Sequence, residues 1–250
     1  YSGPTQKETV SLRRSCKLFS QALKPLSCWT SFPHPKYSSL TRLLNRLNEL
    51  SSSGSTNLPS LVLIENGIYD EGGNVINIDT SISIAGESRE HCIVIGGLWM
   101  RGKKTDDVNV QDLTLRKSKW IGVLGCNGAS FHLDNVSVEN SGESGVVVSG
   151  TKRSTMKNCN VSHSYHSGLV VDDGGLMTIE GNATSIHHNC KNGGWGWYAL
   201  DAYSSSSSIY LVSPLKKESI CLKNGGGGKN YGGNGTIKTI ANNNTKEEKK

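Results

Sequence analysis

The sequence has few aromatic residues and no long apolar run, and both shortages limit what the chain can be. Phe, Trp and Tyr make up only 6% of the 250 residues, so a core built on large rings is excluded. No run approaches the ~20 consecutive apolar residues of a membrane-spanning helix, so no membrane span is predicted. The seven cysteines are widely spaced and include no CxxC pair. Such spacing argues against a zinc site and against a disulfide framework, and no metal site is predicted.

Basic charge is concentrated at the two ends of the chain. Residues 1–50 carry eight Lys and Arg against two acids, and residues 209–250 carry eight against three. Residues 51–208 carry eleven bases against sixteen acids, whereas a nucleic-acid-binding body needs a basic stripe. We therefore predict no nucleic-acid partner and interpret the basic ends as solvated caps. Because the chain begins at Tyr1 rather than Met, we expect targeting information to lie outside it, and no compartment or oligomeric state is predicted.

A repeat of ~23 residues runs through the middle of the chain. Residues 110–115 align with 133–138 and again with 156–161. The same offsets then hold two further columns, Ser118, Ser141 and Ser164, followed by Gly122, Gly145 and Gly168. Short alternating strands separated by Gly, Ser and Asn at such a period predict a solenoid of stacked parallel coils. Stacking would place Leu113, Val136 and Cys159 in one buried file, and Asp112, Asn135 and Asn158 in a polar ladder.

The ends of the solenoid differ from its body. Five leucines fall on one face at helical spacing, which predicts an amphipathic helix over 38–50 that covers the first coil: Leu40, Leu43, Leu44, Leu47 and Leu50. We predict a lead-in of irregular or helical structure with this capping helix over 1–56. The solenoid is predicted over 57–240, and a disordered polar tail over 241–250.

The early strands resemble the first turns of pectin-lyase-like right-handed parallel β-helices. The segments concerned are LVLIENGIY at 61–69, ISIAGE at 82–87 and VIGG at 94–97. The later coils resemble the generic right-handed β-helix repeat. The stretch 61–240 is also similar to uncharacterised β-helix proteins of diatom-type algae, through GLWMRGKK at 97–104 and NYGG at 230–233. The resemblance implies an all-β, single-stranded, right-handed parallel β-helix, a fold that hosts lyases, hydrolases, epimerases, esterases and inert binding modules.

The residues that such enzymes use are largely missing. Lyases of this architecture hold calcium with acids, and the paired acids here are Asp106 with Asp107 and Asp172 with Asp173. Neighbours on a strand point to opposite faces, so we interpret both pairs as turn residues. Of the polygalacturonase elements, only Asp172-Asp173 and a degraded His-Ser-Gly at 166–168 are present. We therefore assign no catalytic residue and no cofactor, with calcium expected only if the chain is a lyase.

A candidate binding ridge comes from stacking the loop at 118–122 on its equivalents. It comprises Lys117, Lys119, Trp120, Glu143, His163, Tyr165 and His166. Glu143 and His166 would share a column, which allows a carboxylate–imidazole contact with acid–base capacity. Trp120 and Tyr165 could stack on sugar rings. The alternative interpretation is a solvated turn whose polar residues only confer solubility.

A second aromatic group follows the pair His187 and His188. It comprises Trp195, Trp197, Tyr198, Tyr203 and Tyr210. This group is interpreted either as a carbohydrate platform or as packing of the last coil. The two adjacent histidines are not predicted to bind metal, because they lack further ligands in sequence.

These patterns favour a non-catalytic β-helix that binds a polysaccharide or another protein, or serves as a scaffold. The alternative is a polysaccharide-active enzyme, either a calcium-assisted lyase or a glycoside hydrolase. A third interpretation is a structural repeat within a longer protein.

Overall fold

A computed structural model of the protein describes residues 29–56, 58–193, 196–225 and 230–242. Cys16, Cys28, Trp195, the first 28 residues and nearly all of the polar tail lie outside these ranges. Within them, short strands follow one another with very little helix.

The described residues form the following strands and helices, in chain order. They are β1 (Trp29–Phe32), α1 (Leu40–Ser52), β2 (Leu61–Ile64), β3 (Gly67–Ile78), β4 (Ile82–Gly86), β5 (Cys92–Met100), β6 (Asp107–Gln111), β7 (Thr114–Arg116), β8 (Val123–Gly125), β9 (Ser130–Asp134), β10 (Ser137–Glu139) and β11 (Val146–Ser149). They continue as β12 (Ser154–Lys157), β13 (Asn160–Ser162), β14 (Leu169–Asp172), β15 (Leu176–Glu180), β16 (Ser185–His187), β17 (Leu200–Ala202), β18 (Ser208–Val212), α2 (Lys217–Ile220), β19 (Cys221–Leu222), β20 (Tyr231–Gly233) and β21 (Thr236–Ile240).

The strands form three parallel faces that wind around one core. Sheet A contains nine strands in the order β1-β2-β4-β6-β9-β12-β15-β18-β21. The long strands β3 and β5 each bend and contribute to both remaining faces. Sheet B consists of the first halves of β3 and β5, followed by β7, β10, β13, β16 and β19. Sheet C consists of the second halves of β3 and β5, followed by β8, β11, β14, β17 and β20. This confirms the predicted parallel β-helix.

Successive coils stack in the predicted register. In sheet A, Leu133 pairs with Val110 on one side and with Met156 on the other, and all three are buried. At the next corner the carbonyl groups of Leu113, Val136 and Cys159 each accept a backbone hydrogen bond from the following coil at 2.9–3.0 Å. These three side chains are at most 1% exposed, so they lie in a single buried file. Burial also raises the pKa of the Cys159 thiol to about 12, consistent with a packing role.

The polar ladder fixes the corner between sheets A and B. Asp112, Asn135 and Asn158 all adopt left-handed backbone angles, with φ of 55°, 54° and 50°. Asn and Asp tolerate this region better than other side chains with a Cβ atom. Nδ2 of Asn135 donates to Oδ1 of Asp112 at 2.8 Å, which links two coils directly. On the fourth coil Gly181 takes the position at φ 84°, where a Cβ atom would collide with the Asn158 side chain.

Helix α1 packs its leucine face on β3 and begins at Ser39, whose hydroxyl accepts from the Arg42 amide at 3.2 Å. The Glu71 carboxylate of β3 accepts from the free amides of Leu40 and Thr41 at 2.8 and 3.3 Å. A negative group at this end also complements the helix dipole. Among the described residues, no helix has the length and apolar content to cross a bilayer.

The prediction of a purely irregular or helical lead-in is wrong at residues 29–32. Strand β1 pairs in parallel with β2, from Trp29 opposite Leu61 to Phe32 opposite Ile64, and so begins sheet A. The 23-residue repeat could not reveal it, because the 32 positions from Trp29 to Leu61 include helix α1.

Replacing Asn135 separates its two contributions, the hydrogen bond to Asp112 and the tolerance of a left-handed backbone angle. We expect Asn135→Ala to lower the free energy of unfolding by about 2 kcal/mol, through one lost hydrogen bond and an alanine held at positive φ. Asn135→Gly removes only the hydrogen bond, so its cost should be nearer 1 kcal/mol. Urea unfolding would measure both values. Equal losses would show that the backbone angle carries no strain.

Candidate functional site

The turns between sheets B and C, called here the B–C turns, bring part of the predicted ridge into one column. The Glu143 amide donates to the Trp120 carbonyl at 3.2 Å, and the His166 amide donates to the Glu143 carbonyl at 3.1 Å. The three residues therefore lie on successive coils. In the neighbouring column, Gly142 packs so closely on the coil before it that a Cβ atom there would collide with the Lys119 carbonyl.

The ridge exposes aromatic surface, and His166 contacts an aromatic ring in place of the expected carboxylate. Trp120 and Tyr165 are 54% and 50% exposed. The His166 imidazole stacks on Trp197 with centroids 4.1 Å apart and planes at 10°, and Tyr165 lies 5.2 Å from it. In the described residues no ion pair joins Glu143 to His166, so the expected carboxylate–imidazole contact is not formed. Trp197 thus belongs with the ridge rather than only with the last coil.

Backbone geometry accounts for the other ridge residues. Lys117, Asn140, His163 and His188 occupy equivalent positions in successive B–C turns, all with φ between 55° and 61°. Each is the residue at which the chain leaves sheet B. Lys117 and His163 therefore have a structural reason for their position, and they also border the outer face of that sheet.

That outer face holds a groove that was not predicted from the sequence. Its floor is a column of hydroxyl and amide side chains on four paired strands: Thr114, Ser137, Asn160 and Ser185. Arg89, Glu90 and Ala183 also line the groove, whose volume is about 460 Å³. The column was visible in the aligned repeat one position after the buried file. The turn that contains Arg89 and Glu90 lies outside the repeat, so the repeat pattern does not predict a groove there.

Hydrogen bonds connect the floor along the solenoid axis. Ser185 Oγ donates to Asn160 Oδ1 at 3.0 Å, Asn160 Nδ2 donates to Ser137 Oγ at 2.9 Å, and Ser137 Oγ donates to Glu139 at 2.8 Å. Arg116 donates to the same Glu139 carboxylate through Nε at 2.9 Å. The chain of contacts fixes the rotamers of the floor, so a ligand would meet preformed donors and acceptors.

Three imidazoles gather where the groove meets the B–C turns. His163 and His188 stack with centroids 5.1 Å apart and planes at 2°, and His187 lies edge-on to both. Nδ1 of His187 and Nδ1 of His188 are hydrogen-bonded at 2.7 Å. Burial first, and neighbouring cationic groups second, lower the pKa of His163 and of His187. His187 and His188 thus converge with His163, although the described residues contain no group of side chains able to hold a metal ion.

The paired acids behave as turn and surface residues. Asp106 accepts from the Lys103 amide at 2.6 Å, and Asp107 forms an ion pair with Arg153 at 2.8 Å. Asp173 accepts from Ser149 at 2.6 Å, while Asp172 accepts from the Asp173 amide at 2.7 Å.

Sheet C contains one acid that sequence analysis missed. Asp201 lies between Val170 and Gly232 on adjacent strands and is only 2% exposed. Its Oδ1 atom has no hydrogen-bond partner among the described residues. Burial, reinforced by the nearby Asp172 carboxylate, raises the pKa of Asp201 to about 6. No pattern in the sequence distinguishes this aspartate from those in turns.

Comparison with known families matches residues 96–249 to a family model described as a right-handed β-helix region. The chain belongs to the right-handed β-helix family. No curated protein matches this β-helix. Among solved structures it is similar to the Agl-KA catalytic domain at 11% identity and a TM-score of 0.29, covering 82% of this chain and 66% of that one, just under two thirds of its length. A likeness this distant supports no statement about activity. Particular closeness to diatom-type proteins finds no support in these matches and stays a prediction.

The buried acid should make the stability of the β-helix fall as pH rises. The folded pKa of about 6 lies above the ordinary aspartate value of about 3.9, so the folded state prefers the protonated form. Its stabilising effect is complete below about pH 4 and is lost as pH rises through about 6. Asp201→Asn should therefore raise the free energy of unfolding near pH 7, by up to about 3 kcal/mol.

Chemical unfolding at a series of pH values would measure this effect. The matched control is Asp134→Asn, at an exposed site on sheet A, and it should leave the pH profile unchanged. A destabilised Asp201→Asn protein with an unaltered profile would contradict the assignment.

Proposed function

We propose that this β-helix is a carbohydrate-binding module whose ligand lies along the groove on sheet B. The observation that carries the proposal is the column Thr114, Ser137, Asn160 and Ser185, which lines an open groove on four successive coils. Neighbouring strands are about 4.8 Å apart, comparable to the length of one sugar unit. A linear glycan aligned with the solenoid axis would thus follow this polar column and contact it chiefly at the half-buried Asn160 and Ser185, because Thr114 and Ser137 are only 3% and 4% exposed.

The chemistry of the floor favours hydroxyl-rich ligands. Hydroxyl and amide groups both donate and accept hydrogen bonds, as sugar hydroxyls do. The charges beside the floor are already paired, with Arg116 bound to Glu139 at 2.9 Å and Arg89 near Glu90 at 3.5 Å. A sugar hydroxyl could join this network without leaving either member of an ion pair unpaired.

The ridge would supply stacking surface beside the groove. Half-exposed Trp120 and Tyr165 can each receive the apolar face of a sugar ring, and the His166–Trp197 stack extends the same surface. The full set proposed for this role is Lys117, Lys119, Trp120, Glu143, His163, Tyr165 and His166, together with Trp197. Groove and ridge meet at the start of the B–C turns, so one branched or bent glycan could contact both. A protein is the other partner class that the sequence leaves open.

Binding without catalysis fits the groove best. Glycoside hydrolysis needs two carboxyl groups at a defined separation, one of them free to exchange a proton with the substrate. Glu139 is engaged by Arg116 and Ser137, an arrangement that orients a carboxylate as a fixed acceptor. The groove therefore offers recognition more readily than proton transfer.

One observation favours the enzymatic alternative. Asp201 has a pKa raised to about 6, and Asp172 approaches it from the neighbouring coil. A pair of neighbouring carboxyl groups, one of them with a raised pKa, is the arrangement that acid–base hydrolysis uses. Incubation with pectin, alginate and neutral glucans, with and without calcium, would test this by release of reducing ends or unsaturated product. Turnover that disappears in Asp201→Asn would favour an enzyme, and calcium-dependent unsaturated product would favour a lyase.

The groove is tested by Asn160→Ala, which removes the central floor amide. On a ligand first identified with a glycan array, calorimetry should show a roughly 2- to 10-fold loss of affinity, the worth of one or two hydrogen bonds. Asn109→Ala, on the exposed face of sheet A, is the matched control and should bind normally. Unchanged affinity in Asn160→Ala would place the ligand elsewhere.

The ridge is tested separately by the double variant Trp120→Ala and His166→Ala. If the ridge stacks on sugars, binding to the glycan array should weaken by more than 10-fold, because two aromatic contacts are lost. An unchanged array profile would remove the ridge from the proposal and leave the groove to be judged by Asn160→Ala.

A further inference from the structure

The imidazole cluster consists of His163, His187 and His188. Its hydrogen bonding depends on how many protons the rings carry. A hydrogen bond between two Nδ1 atoms requires one protonated and one bare nitrogen. At 2.7 Å, the His187–His188 pair therefore shares a single Nδ1 proton. A second proton that is taken up at the bare Nδ1, rather than at a free Nε2, would turn this acceptor into a donor. The two Nδ1–H groups would then point toward each other with no acceptor between them.

Two convergent donors of this kind are half of an anion site. Once their repulsion had moved the two rings apart, an oxygen anion between them would accept from both, and charge-assisted hydrogen bonds of this type are the stronger ones. The third ring adds charge without a steric change, because His163 is already stacked on His188 at 5.1 Å. An anion would thus relieve the repulsion that protonation creates.

The surroundings determine when this conversion occurs. Lys191 faces His163, Lys223 faces His187, and Glu139 from strand β10 acts on both in the opposite sense. Glu139 is partly neutralised because Arg116 holds it at 2.9 Å. Burial first, and the positive neighbours second, disfavour the charged forms of His163 and His187, and the same positive neighbours favour an anion once these rings are charged.

We infer that His163, His187 and His188 form an acid-activated site for an anionic group, a carboxylate or a sulfate, carried by the glycan in the adjoining groove. The inference rests on the proposed function, because His187 lies on the strand that contributes Ser185 to the groove floor. At neutral pH the groove would bind through hydroxyl contacts alone. In acid, once the imidazoles are protonated, it would additionally hold the charged substituent.

Inorganic sulfate is the first probe, because its charge does not change across the range tested. We expect sulfate to bind at least 10-fold more tightly at about pH 5 than at about pH 7.5, with uptake of about one proton. Calorimetry in buffers of different ionisation enthalpy measures that uptake directly. Equal affinity at both pH values, or binding without proton uptake, would overturn the inference.

The double variant His187→Asn and His188→Asn is matched to the fold, because Asn tolerates the left-handed angle of 55° at position 188. It should lose the pH dependence of sulfate binding. His132→Asn, on sheet A and bonded to Thr155 and Asp107, is the control and should keep it. If sulfate binding by the double variant still depended on pH, the dependence would belong to other groups and the inference would be contradicted.

Polysaccharide probes separate this inference from the proposed function. A sulfated dextran, a polyuronate and an uncharged glucan are compared at both pH values in wild type and in the double variant. Acid-enhanced binding of one charged polymer, abolished in the variant, supports the site and identifies the substituent. If only the uncharged polymer bound, equally at both pH values, the groove proposal would stand and the acid-activated site would be overturned.

Discussion

In-register stacking of successive coils is the constraint on which the rest of this structure depends. Each position faces its own equivalent at one strand spacing, so a residue type is acceptable only if copies of it can lie side by side. The glycine column shows the strict form of this rule. A Cβ atom on Gly122 would collide with Val138 and with the Gly145 carbonyl of the next coil, and Gly145 and Gly168 meet the same limit. Apolar columns satisfy the rule by packing, and the ladder at Asp112 and Asn135 satisfies it by passing hydrogen bonds from coil to coil.

This constraint explains why the middle of the fold could be predicted. Because equivalent residues must be compatible, the repeat at 110–115 and its copies marks both the strands and the buried file at Leu113, and these predictions are confirmed. Prediction failed where the coil length departs from 23 residues. The example is strand β1, which pairs with β2 at a distance of 32 positions. Insertions at the turns change the spacing without disturbing the sheet, so a fixed period does not reach them.

The candidate site follows the same division. The column of Trp120, Glu143 and His166 was predictable, because all three belong to regular coils. The side-chain partner of His166 was not, since Trp197 comes from the long turn after Cys190. The groove needs both kinds of element, a floor from the repeat and a wall from the irregular turn at Arg89 and Glu90. Repetition thus supplies the platform, and the irregular turns supply the features that make one part of it distinct.

The same rule bears on the imidazole cluster. The left-handed position of the B–C turns holds Lys117, then Asn140, His163, His188 and Lys223, so the column has a permanent charge only at its first and last positions. Permanent cations on adjacent coils would repel each other at one strand spacing. Neutral imidazoles avoid that cost, and His163 and His188 stack face to face, yet such rings can still become charged. In a solenoid with its coils in register, imidazoles on adjacent coils remain neighbours when they become protonated. Their positive charges must then be compensated by a ligand or by a neighbouring acid such as Glu139.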